Sequence, residues 1–214
     1  MLNSIEDMKK LDPAGMYDKI YRFPEQLAEA AQIGSKIEID ANQFSGIKNM
    51  VVAGMGGSAI GGDTVRSYLA GQLEIPFVVC RHYVLPGFVN ESTLVVISSY
   101  SGNTEETLSA LNEALAKKAK IVCISTGGKV GQIAKANNLP LIQLPDGYPP
   151  RTALGYSFVP LLFLMAKLGF INDVSEEIST LITGLKNYRE LYAAEVESDK
   201  IGRASCRERV SSPV

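Results

Sequence analysis

Residues 54–63, GMGGSAIGGD, follow an apolar β-branched run at residues 50–53 and lead into a run with helical spacing at residues 59–69. Glycines in such a turn let the backbone approach an anion, and the start of the helix offers free N–H groups and a partial positive charge. In a parallel α/β sheet this turn lies at the carboxyl end of its strand, where ligands bind. The stretch therefore predicts an α/β fold with an anion site at this turn.

A second turn of the same kind, SYSGNTEET at residues 99–107, follows the apolar run at residues 94–98. The hydroxyls of Ser99, Ser101 and Thr104 can converge with backbone N–H groups on one anion without any Lys or Arg. A helix cap that binds only water is the other interpretation of this turn. Two such turns on separate strands favour a sugar-phosphate pocket, because a phosphate monoester carries a charge of about −2.

Short apolar runs alternate with helical runs along the chain, as expected for parallel strands joined by crossover helices. The predicted strands are residues 50–53, 77–80, 94–98, 121–125 and 141–144. The predicted helices are residues 24–33, 59–69, 104–116, 130–136, 152–167 and a last one around 178–191. We therefore predict an α/β fold: a doubly wound, parallel, five-stranded sheet of the flavodoxin or Rossmann-like kind, followed by connecting helices.

The chain of 214 residues has room for one good-sized domain but not for two full α/β domains. The predicted parts are an N-terminal helical segment, a sheet domain, connecting helices and a tail, at residues 1–35, 36–150, 151–200 and 201–214. The tail, IGRASCRERVSSPV, resembles translated adaptor or vector sequence, so we interpret it as non-native.

Composition excludes several classes of protein. Lys and Arg number 21 against 23 Asp and Glu, so no basic excess exists to bind a nucleic-acid backbone. The longest apolar stretch, residues 158–166, is too short for a bilayer span and is interpreted as a core element. The N-terminus lacks the apolar region of a secretory signal. We expect a cytoplasmic protein without nucleic-acid or membrane partners.

Cysteine and histidine usage argues against disulfides and metal. The three cysteines, Cys80, Cys123 and Cys206, are odd in number and widely spaced, which is typical of a reducing compartment. His82 is the one histidine of the sequence, too few for a Cys/His zinc site. No metal or cofactor is expected.

A dinucleotide site remains an alternative for the first turn. Gly54, Gly56 and Ala59 satisfy the G-x-G-x-x-A pattern. An NAD site favours an acidic residue after the second strand, where this chain has Arg81, although an arginine there could accept the phosphate of NADP. An NADP-binding Rossmann oxidoreductase therefore stays open, as does a glycine turn that serves only tight packing.

A third motif, PPRTALGY at residues 149–156, contains an arginine. The proline pair fixes the backbone ahead of Arg151 and holds its guanidinium near a helix N-terminus, where it could meet developing negative charge. The other interpretation of Arg151 is a surface ion-pair partner.

The three motifs in this order resemble the bifunctional phosphoglucose/phosphomannose isomerases of the sugar isomerase (SIS) domain superfamily, over about residues 16–199. The resemblance implies that the sheet domain is a SIS domain. It also implies an aldose–ketose isomerase that interconverts glucose 6-phosphate or mannose 6-phosphate with fructose 6-phosphate through a cis-enediolate, without metal.

The same resemblance implies roles for individual residues. Gly56, Gly57 and Ser58 line the sugar side of the pocket. Ser99, Ser101 and Thr104 hold the 6-phosphate. Arg151 binds substrate and, as the one catalytic residue carried over, stabilises the enediolate.

The family's base glutamate and ring-opening histidine lie in and beyond a second SIS domain, and neither motif is present here. His82 lies between the first two motifs and is interpreted as an exposed loop residue. We therefore expect the chain to be the N-terminal part of such an isomerase, catalytically incomplete and homodimeric when full-length. The alternative is a stand-alone SIS module that binds a sugar phosphate and regulates another process.

Overall fold

The structure is a computed structural model that describes residues 5–191. Its centre is a five-stranded, wholly parallel sheet in the order β2-β1-β3-β4-β5. The strands are β1 (Asn49–Ala53), β2 (Phe77–Cys80), β3 (Thr93–Ser99), β4 (Lys120–Ser125) and β5 (Leu141–Gln143). The predicted α/β fold is confirmed, and each predicted strand is present within one residue at either end.

Eight α-helices occur within the described residues. They are α1 (Ile5–Leu11), α2 (Met16–Tyr21), α3 (Phe23–Ser35), α4 (Gly56–Tyr68), α5 (Glu105–Ala116), α6 (Gly128–Ala136), α7 (Leu154–Lys167) and α8 (Ser175–Leu191). The sequence predicts the last six but not α1 and α2, which at seven and six residues are too short to show a helical period.

Alternate residues of the central strands face opposite helical layers. On β1, Met50 and Val52 join the core beneath α3, α4 and α7, whereas Val51 and Ala53 join the core beneath α5 and α6. Every residue of β3 is buried. Burial on both faces explains why the strands are continuous apolar runs.

The apolar stretch at residues 158–166 lies in α7, where Val159, Leu161 and Leu164 are almost fully buried. Its interpretation as a core element is confirmed. Among residues 5–191, no helix combines the length and apolar character needed to cross a membrane.

The strand order brings the two predicted turns together. β1 and β3 are neighbours, and the chain leaves them toward opposite edges of the sheet, to β2 and to β4. Such a switch point forms a crevice at the carboxyl ends of the two strands, where open α/β sheets bind ligands. Ala53 pairs in register with Ile97, so the turns after β1 and β3 start at the same edge.

Candidate functional site

The turn after β1 is joined to the turn after β3 by the buried Ser58. Its hydroxyl oxygen accepts a hydrogen bond from the Tyr100 backbone N–H at 3.2 Å. A Cβ on Gly54 would lie 2.8 Å from the Ser98 carbonyl oxygen, so a side chain there would push the two turns apart. The glycine is therefore required for the close approach of the two strand ends.

The turn after β3 gathers hydroxyls at the start of α5. Ser99 Oγ lies 3.1 Å from Thr104 Oγ1 and also accepts a hydrogen bond from the Gly102 N–H at 3.1 Å. The exposed Ser101 hydroxyl accepts from the Asn103 N–H at 3.3 Å. Thr104 is the N-cap residue of α5, yet no side-chain cap bonds the first N–H groups of that helix. Among residues 5–191 no side chain bonds these N–H groups, so they can bind an anion.

The turn after β4, residues 126–128, completes this edge and was not predicted. Thr126 donates from Oγ1 to the Tyr100 carbonyl oxygen at 2.8 Å, and the Lys129 N–H donates to Asn103 Oδ1 at 3.1 Å. Gly102, at φ +68°, could carry no Cβ because that atom would lie 1.9 Å from the Gly127 carbonyl oxygen. The Thr-Gly-Gly sequence directly after a predicted strand was the signal for this third turn.

Arg151 lies in a 3-10 turn (Pro150–Thr152) that touches the start of α4. A Cβ on Gly57 would lie 2.6 Å from the Pro150 carbonyl oxygen, so only glycine allows this contact. The Arg151 side chain is exposed and forms no ion pair or hydrogen bond with any part of the chain that the structure describes. It lines a groove of about 510 Å³ together with Met16, Lys19, Ile20, Phe23, Thr152 and Leu154.

The buried side chain of Gln26, on α3, fastens the segment after Arg151. Gln26 Nε2 donates to the Thr152 carbonyl oxygen at 2.7 Å, and Gln26 Oε1 accepts from the Gly155 N–H at 2.8 Å. Gln26 is 2% exposed, and both ends of its amide are satisfied. No local sequence pattern predicts this role of Gln26, because its partners lie more than 120 residues away.

Two further predictions concern Arg81 and His82, which follow β2. The Arg81 guanidinium forms an ion pair with the Asp63 carboxylate. The guanidinium that would bind the phosphate of NADP is therefore already paired. His82 is exposed, which confirms its interpretation as an exposed loop residue. Within residues 5–191 no cluster of three or more His, Cys, Asp or Glu side chains could hold a metal ion. Cys206 and the tail at residues 201–214 lie outside the described residues.

Comparison with known proteins identifies a domain and relatives. Residues 43–145 match the SIS domain family model. The chain is 46% identical over 185 residues to a bifunctional phosphoglucose/phosphomannose isomerase of Caldicellulosiruptor bescii, a match that covers 86% of this chain and 54% of that protein. It is 35% identical over 156 residues to the protein of the same name from Thermoplasma acidophilum, covering 72% and 48%. The chain thus spans about half the length of the relatives that it matches.

Solved structures show the same fold. The C-terminal domain of glucosamine-fructose-6-phosphate aminotransferase from Francisella tularensis superposes with a TM-score of 0.62 at 20% identity. The superposition covers 82% of this chain and 54% of that one. At this level of identity the likeness concerns the fold alone.

Proposed function

Because the chain carries a SIS domain over residues 43–145 and is similar over most of its length to bifunctional phosphoglucose/phosphomannose isomerases, we propose that it binds a hexose 6-phosphate for aldose–ketose isomerisation. The reaction would interconvert glucose 6-phosphate or mannose 6-phosphate with fructose 6-phosphate through a cis-enediolate. The full-length protein would act as a cytoplasmic homodimer in carbohydrate metabolism, at the level of glycolysis and gluconeogenesis.

One observation carries the proposal: hydroxyls and free helix N–H groups meet at the switch point of the sheet. Ser99 and Thr104 lie within 3.1 Å of each other at the uncapped start of α5, and Ser101 is exposed beside them. Such a set binds a phosphate monoester without a cation, by hydrogen bonds and the helix dipole. The formal net charge of −2 fits a site of this kind.

Each site residue has a distinct part in the proposed chemistry. The phosphate at C6 bonds to the hydroxyls of Ser99, Ser101 and Thr104, while Gly56, Gly57 and Ser58 leave room for the sugar. Isomerisation removes the proton from C2 of the aldose and returns one to C1, so negative charge develops on the C1 and C2 oxygens. The guanidinium of Arg151, which has no ion-pair partner among residues 5–191, would stabilise that charge.

Proton transfer also needs a base, and ring opening needs an acid. Hydroxyls and a guanidinium supply neither near neutral pH. We expect both groups in the part of the relatives' length that this chain does not match. The described residues would then bind substrate better than they turn it over.

Two alternatives predict different ligands or different consequences. A stand-alone SIS module would bind the sugar phosphate without any turnover and would pass the signal to another protein. A Rossmann oxidoreductase would bind NADP at residues 54–59; the pairing of Arg81 with Asp63 argues against it.

Calorimetry and a coupled assay test the proposal on the 214-residue protein. We expect fructose 6-phosphate to bind and NADP not to bind. Glucose 6-phosphate formation, coupled to its dehydrogenase, should run far below the rate of a full-length relative. A rate equal to that relative would contradict the incomplete site, and NADP binding without sugar-phosphate binding would favour the oxidoreductase.

The phosphate turn is our name for residues 99–104, after β3. Its proposed role is tested by replacing Ser101 and Thr104 together with Ala. The affinity for fructose 6-phosphate should fall at least tenfold, because two hydrogen bonds to a charged group are lost. Ser109→Ala, within α5, is the matched control, since the Ser109 hydroxyl donates to the Tyr83 carbonyl oxygen instead. Unchanged affinity of the double variant would show that the phosphate binds elsewhere.

A further inference from the structure

Tyr100 lies between Ser99 and Ser101, and its backbone joins three turns at the edge of the sheet. Its N–H donates to Ser58 Oγ in the turn after β1. Its carbonyl oxygen accepts from both the N–H and the hydroxyl of Thr126, at 3.1 and 2.8 Å, in the turn after β4. The backbone of Tyr100 is therefore held rigidly in the phosphate turn.

The Tyr100 side chain reaches the segment that leads to Arg151. It is 7% exposed. Its hydroxyl donates to the Pro145 carbonyl oxygen at 2.8 Å and accepts from the Tyr148 N–H at 3.2 Å. The hydroxyl thus donates one hydrogen bond and accepts another, both with backbone atoms. The two partners lie 45 and 48 positions further along the chain.

That segment is short, and the half-buried Tyr148 anchors it three residues before Arg151. The Tyr148 ring meets the ring of the fully buried Tyr156 edge to face, with centroids 5.5 Å apart. Two prolines, Pro149 and Pro150, then fix the backbone ahead of the arginine. A displacement of residue 148 is therefore passed on to Arg151 rather than absorbed between them.

We propose that Tyr100 is a positioning residue, whose hydroxyl sets the distance between the phosphate turn and the Arg151 turn. A ligand with its phosphate at Ser99 and Ser101 then meets the guanidinium at its sugar end. This inference rests on the proposed function, since it assumes that one ligand spans both turns. Tyr100 itself touches neither end of that ligand.

A double-mutant cycle tests the inference with two probes, inorganic phosphate and arabinonate 5-phosphate. The second probe carries a phosphate at one end and, at the other, a planar carboxylate that resembles the enediolate. The proteins are the unchanged chain, Tyr100→Phe, Arg151→Ala and the double variant. Binding is measured by calorimetry at one ionic strength.

We expect Tyr100→Phe to leave the affinity for inorganic phosphate within twofold and to weaken arabinonate 5-phosphate five- to twentyfold. In the Arg151→Ala background, Tyr100→Phe should weaken the affinity for arabinonate 5-phosphate less than twofold, because Tyr100 acts through the arginine. Equal losses in both backgrounds would overturn the inference and leave the proposed function standing. If the unchanged chain binds both probes with equal affinity, or if Arg151→Ala leaves the affinity for arabinonate 5-phosphate unchanged, the proposed function fails and the inference fails with it.

Tyr68→Phe is the matched control, because it also removes a tyrosine hydroxyl that is hydrogen-bonded, to Glu177 at 2.6 Å, at the far end of α4. It should change neither affinity. A second measurement needs no ligand: hydrogen exchange of the Tyr148 amide, whose N–H donates to the Tyr100 hydroxyl. In Tyr100→Phe this exchange should be at least threefold faster than in the unchanged chain, and an unchanged rate would overturn the inference, because the hydroxyl would then not hold the segment.

Discussion

Gly57 fixes how closely Arg151 approaches the start of α4. Its φ is not in the left-handed region, so Ala would strain the contact with Pro150 and not the backbone of Gly57. We expect Gly57→Ala to lower the free energy of unfolding by about 1–3 kcal/mol, as overpacking does. It should also weaken binding of arabinonate 5-phosphate while sparing inorganic phosphate.

Gly184→Ala is the control for this prediction. A Cβ at Gly184, within α8, would meet nothing within 4 Å. This variant should gain about 0.5–1 kcal/mol from helix propensity and leave both affinities unchanged. If Gly57→Ala binds both probes like the unchanged chain, the contact with Pro150 does not position the arginine.

Cys123, on β4 beside the central strand β3, makes the stability of the fold depend on pH in the alkaline range. Burial raises the pKa of its thiol to about 12, against 9.0 for the ordinary group. The folded state therefore holds this proton more tightly than the unfolded state does. Its contribution is complete below pH 9 and is lost as the pH rises toward 12.

We expect the stability advantage of the unchanged chain over Cys123→Ala to shrink between pH 9 and pH 12. Urea unfolding of both proteins at pH 8 and at pH 10.5 measures it. Comparing the two proteins cancels the titration of tyrosines, which falls in the same range. A constant difference would mean that the thiol ionises equally in both states.

At the scale of elements, Arg189 fastens α8 to α3. Its guanidinium bonds both oxygens of Glu25, at 2.8 and 3.0 Å, and lies 4.4 Å from the centre of the Tyr21 ring. Burial alone would raise the pKa of Glu25, but the hydrogen bond and charge of Arg189 outweigh it and hold that pKa below its ordinary value of 4.5. The pair therefore stabilises the fold above pH 4.5, and its contribution is lost as the pH falls through the lowered pKa.

Arg189→Gln should cost about 1 kcal/mol of unfolding free energy at pH 7, as expected for a partly exposed pair. The cost should be smaller at pH 3, where Glu25 takes up its proton. Urea unfolding at both pH values measures it. Arg22→Gln, an exposed arginine at the start of α3 without an ion pair in the described part of the chain, should cost nothing at either pH. An equal cost for Arg189→Gln at both pH values would mean that the ring contact and packing, not the ion pair, hold α8.

The start of α4 shows where sequence patterns mislead at this scale. They place the start at residue 59, because GMGGS resembles a loop, whereas the helix begins at Gly56. Glycine has a low helix propensity, but close contacts explain two of the glycines in this helix. Gly57 contacts Pro150, and a Cβ added to Gly61 would lie 2.5 Å from the Cβ of Ser157. Tertiary contact thus overrides local preference.

For the whole molecule, the sheet was predictable because burial on both faces leaves apolar runs. Ser99, Ser101 and Thr104 were predicted as site residues for a similar reason: they follow such a run. Tyr100 and Gln26 were not, because the bonds that connect the loops link residues 45 to 129 positions apart, and no local pattern carries that information. The functional roles of the site residues stay predictions.

A ligand that spans the switch point should stabilise the whole domain. Fructose 6-phosphate at 100 times its dissociation constant should add about 2.7 kcal/mol to the free energy of unfolding. For a chain of this length that raises the melting temperature by about 5–10 °C. Differential scanning calorimetry measures the shift. Fructose without the phosphate should give no shift, and a shift equal to that of the phosphorylated sugar would contradict a phosphate-led site.

The glycine contacts of α7 also bear on how the protein responds to hydrostatic pressure. A Cβ on Gly34 would lie 2.5 Å from the Phe163 ring, and one on Gly155 would lie 2.8 Å from Gln26. Helices that meet through bare glycine backbone leave little empty space between them. Pressure unfolds proteins by eliminating internal voids. This helical layer should therefore keep its packing at pressures that open the more exposed loops around Arg151. Compression would thus displace the ligand-binding loops before it disturbs the helices beneath them.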